Sequence, residues 1–327
     1  MAIDTKAIKT RIRSVTNTKK ITKAMEMVSA VKMRRSVETA LNTRTYAVMA
    51  RELLRHLAKL PKHPRYELLA QRPVKNLLIV LISSNRGLCG SFNTNIVKKT
   101  VLALQNKNEL AQFTTDEGKT VWPVGEVEVE IVGVGKKSAD FAKKQGYRLV
   151  AVFENLSDKI NFNEVAPISR LIIEEFKKGA YDKVLVAFTD YKSSLTQEPK
   201  IRQLLPVSDQ DLEQTLNELG RNATTVAGEG KEETKDSVGG FLGNYVFEPS
   251  VEEIVRDVLP RLVETQLYQA VLESAASEHS ARMLAMKNAS EAANDMINEL
   301  NLTFNKARQA AITQEIAEIA GGAAALE

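Results

Sequence analysis
The chain has 327 residues, 43% hydrophobic and 26% charged, with a formal net charge of +4, so two structural units fit comfortably. Its one cysteine, Cys89, excludes an intrachain disulfide, and its longest apolar run, LLIVLI at 77–82, is far short of the roughly 20 residues that cross a bilayer. The first 14 residues are charged and carry no apolar stretch, so no secretory signal is expected and the chain reads as soluble, cytosolic and at most peripheral to a membrane.

Residues 1–60 contain neither Gly nor Pro, and apolar residues fall at Ile8, Ile12, Val15, Ile21, Met25, Val28, Met33, Val37 and Leu41. The steps are three, four or five, with one of six between Val15 and Ile21, a helical period with register slips. Fourteen basic and four acidic residues give this segment a net charge of +10.

The middle of the chain alternates strand and helix patterns. Strands are expected at 76–84, 127–132, 149–153, 184–188 and 201–205, and helices at 93–110, 136–145 and 164–178, the last stopped by Gly179. Such alternation implies a Rossmann-like α/β domain with a mostly parallel sheet over 73–207. Residues 111–126 read as a loop or hairpin added before the second strand. Residues 208–244 are polar, with a short helix expected at 209–219, and read as a mobile insertion.

Residues 250–320 hold no glycine and one proline, Pro260. A seam with steps of four and three runs through Val258, Leu262, Thr265, Gln269, Leu272, Ala276, His279, Met283, Met286, Ser290, Ala293, Ile297, Leu300, Phe304, Ala307 and Ala311. That spacing belongs to a left-handed supercoil, and the helix would reach roughly 100 Å at 1.5 Å per residue. Six basic and eleven acidic residues give the segment a net charge of −5, opposite to residues 1–60. An antiparallel coiled coil of residues 1–60 with 250–327 is therefore expected. Two separate amphipathic helices on a globular core are the other reading of the same periods.

No catalytic constellation stands out. Gly133-Val134-Gly135-Lys136-Lys137-Ser138 resembles a phosphate loop, but the P-loop pattern needs a glycine where Glu130 stands, so a strand–helix turn is expected. Cys89 has no histidine near it in sequence, the three being at 56, 63 and 279, and is read as a structural thiol. His279 falls on the seam and reads as a packed residue, and no spacing suggests a metal site. The basic run Lys19, Lys20, Lys23, Lys32, Arg34, Arg35 lacks interleaved aromatics, so nucleic acid is not the expected partner. A solvated face or contact with an acidic protein loop accounts for it.

Three motifs resemble one family. They are Ile21-Thr22-Lys23-Ala24-Met25-Glu26-Met27-Val28 with Lys32-Met33; the loop Arg86-Gly87-Leu88-Cys89-Gly90; and Ser277-Glu278-His279-Ser280-Ala281-Arg282-Met283-Leu284-Ala285-Met286-Lys287, continued by Phe304-Asn305-Lys306-Ala307-Arg308-Gln309 and onward to Ile316. Together they resemble the gamma subunit of bacterial F-type, proton-translocating ATP synthases. The resemblance implies a non-catalytic rotor shaft without cofactor or metal, turning inside a ring of alpha and beta subunits. It implies an α/β domain seated on the membrane proteolipid c ring beside an epsilon subunit, at the cytoplasmic face of the inner membrane. It further implies beta-subunit contacts at Lys23, Met25, Arg282, Gln309, Thr313 and Glu315, and ring contacts at Tyr245, Phe247 and Glu248. Photosynthetic relatives carry a redox-sensing cysteine pair near 208–244; no cysteine occurs there in this chain. A free coiled-coil adaptor with a Rossmann-like head is the competing expectation.

Overall fold
A computed structural model describes residues 5–58, 67–114, 120–123, 125–157, 159–207 and 251–324. Its elements are α1 (Thr5–Ala58), a 3-10 turn at Glu67–Leu69, β1 (Asn76–Ile82), α2 (Phe92–Gln105), α3 (Lys107–Ala111), β2 (Phe113–Thr114), β3 (Thr120–Val121), β4 (Glu128–Val134), α4 (Lys136–Gln145), β5 (Arg148–Phe153), α5 (Phe162–Lys177), β6 (Lys183–Tyr191), β7 (Gln197–Leu205) and α6 (Val251–Ala324). The chain divides into two compact units, residues 1–31 with 282–327 and residues 32–281.

The larger unit is built on a five-stranded sheet ordered β5-β4-β1-β6-β7. The first four strands pair in parallel, and β7 closes one edge antiparallel to β6. β1 lies at the centre, and its six buried residues alternate between two cores, as the pleat requires. Leu78, Val80 and Ile82 join Ile168, Ile172 and Phe176 of α5 and Leu262, Val263, Leu267 and Val271 of α6. Leu77, Ile79 and Leu81 face the other way, toward Ile96 and Leu104 of α2 and Phe141 and Ala142 of α4. Burial on both faces is why 76–82 reads as an unbroken apolar run rather than an alternating one.

Boundaries differ from the sequence expectation where local chemistry overrides the period. The helix expected over 93–110 breaks at Asn106, whose ψ of 54° lies outside helical space, giving α2 and α3. β6 and β7 are longer than expected because their hairpin keeps pairing through Thr189–Pro199 to Tyr191–Gln197. Pro199 is tolerated there because β7 is an edge strand. The 111–126 stretch does contain a small hairpin, β2 against β3. α5 ends as expected at Gly179, whose φ of 77° carries the chain out of the helix. At the lower edge of the sheet, the Tyr181 hydroxyl donates to Glu130 at 2.6 Å and Arg148 pairs with the same carboxylate at 2.8 Å. Burial and that hydrogen bond push the Tyr181 phenol above its usual range.

The smaller unit is a pair of antiparallel helical segments. Lys19 Nζ donates to Asn294 Oδ1 at 2.7 Å, and Thr22 Oγ1 lies 2.7 Å from Ser290 Oγ. Numbers rise along α1 as they fall along α6, which fixes the direction. Within this unit, the buried and half-buried residues of α1 include a series at 8, 12, 15, 19, 22, 26 and 29, in steps of four and three. That series passes Ile21 without a slip, while Thr16, Met25 and Ala30 beside it are half-buried as well. A count of apolar residues passes over Lys19, Thr22, Glu26 and Ser29, which belong to this series. The seam expected on α6 is buried or half-buried from Val258 through Ala307, and only Ala311 lies open.

Gly135 makes the tightest backbone approach in the larger unit. It sits at φ 89° and ψ 150°, a region that side chains avoid, and a Cβ there would strike the Ser83 carbonyl. Gly135→Ala is expected to lower stability by about 2–5 kcal/mol through strain plus overpacking, read as a lower urea midpoint by circular dichroism.

Candidate functional site
In an open α/β sheet, ligands enter at the carboxyl ends of the strands, where the strand order reverses. Here that reversal lies between β1 and β6, with β4 on the other side of β1. On both sides of the end of β1 the chain bonds to itself. At the end of β6, Ser277 of α6 donates its hydroxyl to the Thr189 carbonyl at 3.1 Å. At the end of β1, the triplet Ser83, Ser84, Asn85 is bonded to the start of α4. Lys136 N–H donates to Asn85 Oδ1 at 3.0 Å, Lys137 N–H to the Ser84 carbonyl at 3.2 Å, and Ser138 N–H to Ser83 Oγ at 2.7 Å. A helix N-terminus holds phosphate through these free amides. All three are taken, so the Gly-Val-Gly-Lys-Lys-Ser run is a turn, as expected. Asn85 also donates to the Glu154 carbonyl at 2.6 Å, tying β5 into the same knot.

The neighbouring loop 86–90 hides its thiol. Cys89 is buried and accepts from Asn93 Nδ2 at 3.1 Å. Leu88 does the reverse: it holds φ at 63° and leaves its side chain 62% exposed. Among the described residues, no group of three or more His, Cys, Asp or Glu is placed to hold a metal.

The candidate site is instead the outer surface of the helical segments of the smaller unit. Its seam is lined by short or polar side chains: Thr22 and Ser29 on α1, Ser290 and Ala293 on α6. Several large apolar side chains face out, although others, Met286 among them, are buried in the seam. Ile21 is 61% exposed and Val28 54%, with Val31 and Met27 beside them. On α6, Ile312, Ile316 and Ile319 form an exposed row, with Ile316 at 62%. The row has a geometric cause. With residue 19 level with 294, the start of α1 at Thr5 comes level with residue 308, and α6 is exposed at every position from 308 to 321. Apolar stripes on helices that already own a seam mark a second partner.

The expected contact residues fall in separate places. Lys23 is exposed and pairs with Glu26 at 3.0 Å, while Met25 is half-buried on the same turn. Arg282 is buried, so it serves the seam at least as much as any outside partner. Gln309, Thr313 and Glu315 all lie on the open end of α6, where the Thr313 hydroxyl donates to the Gln309 carbonyl at 2.9 Å. Tyr245, Phe247 and Glu248, like the 208–244 insertion, lie outside the described residues. Reading by residue type missed Ile21 and Val28 as outward-facing; their membership of a second heptad series, offset by one from Thr22 and Ser29, was the available signal.

The profile of the ATP synthase family matches residues 4–326. The ATP synthase gamma chain of Heliobacterium modesticaldum is 41% identical over 319 residues, covering 98% of each chain. That of Chloroflexus aurantiacus is 38% identical over 325 residues, covering 98% of this chain and 97% of its own. The chain belongs to the ATP synthase gamma-chain family. As a gamma chain it is a non-catalytic subunit. These relatives are matched nearly end to end, so residues 208–250 do not set this chain apart from them. Among solved structures, a chain of the Euglena gracilis mitochondrial ATP synthase (OSCP/F1/c-ring, rotational state 3) superposes with a TM-score of 0.58 at 23% identity, covering 98% of this chain and 94% of its own. A chain of the Tetrahymena thermophila mitochondrial ATP synthase (central stalk/c ring) gives 0.52 at 24%, covering 83% and 99%. At those identities the likeness is one of fold. Among the described residues, no helix of this gamma chain is long and apolar enough to cross a membrane.

The separation of seam from outer face is testable in the isolated chain. Ile21→Ser and Ile316→Ser are expected to change unfolding free energy by less than about 0.5 kcal/mol, as surface substitutions do. Ser29→Leu, which overfills a buried seam position, is expected to cost about 1–3 kcal/mol. Urea unfolding followed by circular dichroism measures all three.

Proposed function
We propose that this gamma chain is the central-stalk rotor subunit of a bacterial ATP synthase, transmitting torque between the membrane proteolipid ring and the catalytic alpha and beta subunits. In this reading residues 1–60 and 250–327 are the shaft, 73–207 the domain that meets the c ring and the epsilon subunit, and 208–244 an appended polar segment. Proton flow turns the ring and shaft, coupling ion transport to ATP synthesis or hydrolysis. The chain is then peripheral to the membrane, at the cytoplasmic face of the inner membrane, and touches it through the ring alone. Tyr245, Phe247 and Glu248 are assigned to the ring, and Lys23, Met25, Arg282, Gln309, Thr313 and Glu315 to the beta subunits.

One observation carries this reading: the outward-facing apolar and basic side chains surround helices whose own seam is already filled. A shaft biases its neighbours by offering them different faces in turn, a population shift driven by differential contact. Exposed Ile21 and Val28 beside Lys23 give one such face, and exposed Ile312, Ile316 and Ile319 another. The basic side chains steer toward acidic loops without demanding a single rigid geometry.

Gln309 and Glu315 give the cleanest test because both are exposed and serve no core. Gln309→Ala with Glu315→Ala is expected to lower ATP synthesis in membrane vesicles several-fold while the recovered complex keeps its subunit composition. Equal loss of assembly and synthesis, or purification of the unaltered chain without nucleotide-binding subunits, would count against the assignment and favour an independent adaptor.

A further inference from the structure
We propose that the β6–β7 hairpin is a clasp through which the sheet grips α6, with Ser277, Ser280 and Gln197 as its positioning residues; this rests on the rotor reading above. Ser277 and Ser280 are both fully buried and lie on successive positions of one face of α6. Ser277 donates to the Thr189 carbonyl at 3.1 Å, and Ser280 donates to the Ser194 carbonyl at 2.7 Å. Gln197 reaches back across the hairpin, donating to Ser280 Oγ at 3.4 Å and to the Ser194 carbonyl at 3.2 Å.

The hairpin is stiff enough to serve. Ser193 Oγ accepts from the amides of Leu195 and Thr196 at 3.3 and 3.0 Å, and the Thr196 carbonyl accepts from Lys192 and Ser193. Its base is held by a buried ion pair, Lys200 Nζ to Asp190 Oδ2 at 2.8 Å, between β7 and β6. The same hairpin touches α1, where the Tyr191 hydroxyl lies 3.8 Å from Met33 Sδ.

The kind of contact matters more than its number. Apolar packing between a helix and a sheet is non-directional. It resists separation but offers less against rotation of the helix about its own axis. Short hydroxyls bonded to fixed carbonyls are directional, and two of them almost one turn apart resist both sliding and rotation. Ser280 stands two residues before the division of the chain at 281/282. The clasp therefore acts at the last point where α6 belongs to the sheet's unit, and a turning moment applied to the α/β domain reaches α6 through it.

The test uses the whole complex in sealed vesicles. Ser277→Ala, Ser280→Ala and Gln197→Ala are combined, and ATP-driven proton uptake is measured per ATP hydrolysed. Assembly and hydrolysis are expected to stay within twofold, while proton uptake per ATP falls at least threefold and the torsional stiffness of single rotating complexes falls at least twofold. An unchanged uptake ratio and stiffness overturn the clasp. Should the alanine chain fail to assemble, Ser194→Cys with Ser280→Cys, in a Cys89→Ser background, decides the matter. Oxidation is expected to leave uptake per ATP unchanged, because the bridge fixes a contact that does not open. A loss on oxidation that a thiol reductant reverses overturns the proposal. Absence of ATP-driven uptake with the unaltered chain would instead sink the rotor reading, and the clasp with it.

Discussion

Two helices approach closely only where the side chains between them are short. In the smaller unit that condition is met where Thr22 faces Ser290, and Ser29 and Ala293 are short buried residues of the same kind. A polar seam sacrifices some apolar burial but adds a directional contact between the helices, the Thr22–Ser290 hydroxyl pair, at this alignment. Sliding one helix by a turn would lose that contact, about 0.5–1.5 kcal/mol, while each hydroxyl keeps its bond to its own helix, Thr22 to the Lys19 carbonyl and Ser290 to that of Met286. The opposite net charges of the two segments favour the pairing but are screened over about 8 Å at physiological salt. Register therefore rests on contact chemistry, and charge on its own would tolerate slips.

The seam has a second consequence. Where short residues occupy it, the large apolar residues one position away lie outside. Ile21 and Val28 sit one position before Thr22 and Ser29, about 100° around the helix, and repeat with the same period. A free helix pair would place these side chains inward. Their outward placement makes sense for a chain whose folded state is completed by neighbours, as in the proposed rotor role. It also accounts for the exposed apolar row that α6 carries past the level of Thr5.

Much of this was legible in the residues. The central strand, the helix stop at Gly179, the turn at Gly135 and the seam along α6 all follow from periods and punctuation that act locally. The α1 seam did not, because a hydrophobic period is blind to buried Thr, Ser and Lys stems. Lys19 illustrates the point: its stem lies in the seam while its ammonium reaches Asn294. The bonding at the end of β1 was equally hidden, since nothing in the Ser-Ser-Asn triplet announces that it will consume the amides of a helix fifty residues later. Contacts of that separation are set by topology, which brings β1 beside β4.

The polar groups at the ends of β1 and β6 also show what such an architecture can hold there from within its own chain. The reversal point of such a sheet is a groove between loops, and a groove is also a seat for a helix. α6 takes that seat with Ser277 and is buried almost all round from Leu262 to Ser277. A ligand there would need the same polar atoms, so binding one would mean ejecting the helix. The site that elsewhere holds a small molecule has become the joint between a sheet and a long helix. Its directional hydrogen bonds, which in an enzyme would orient a substrate, orient α6 instead.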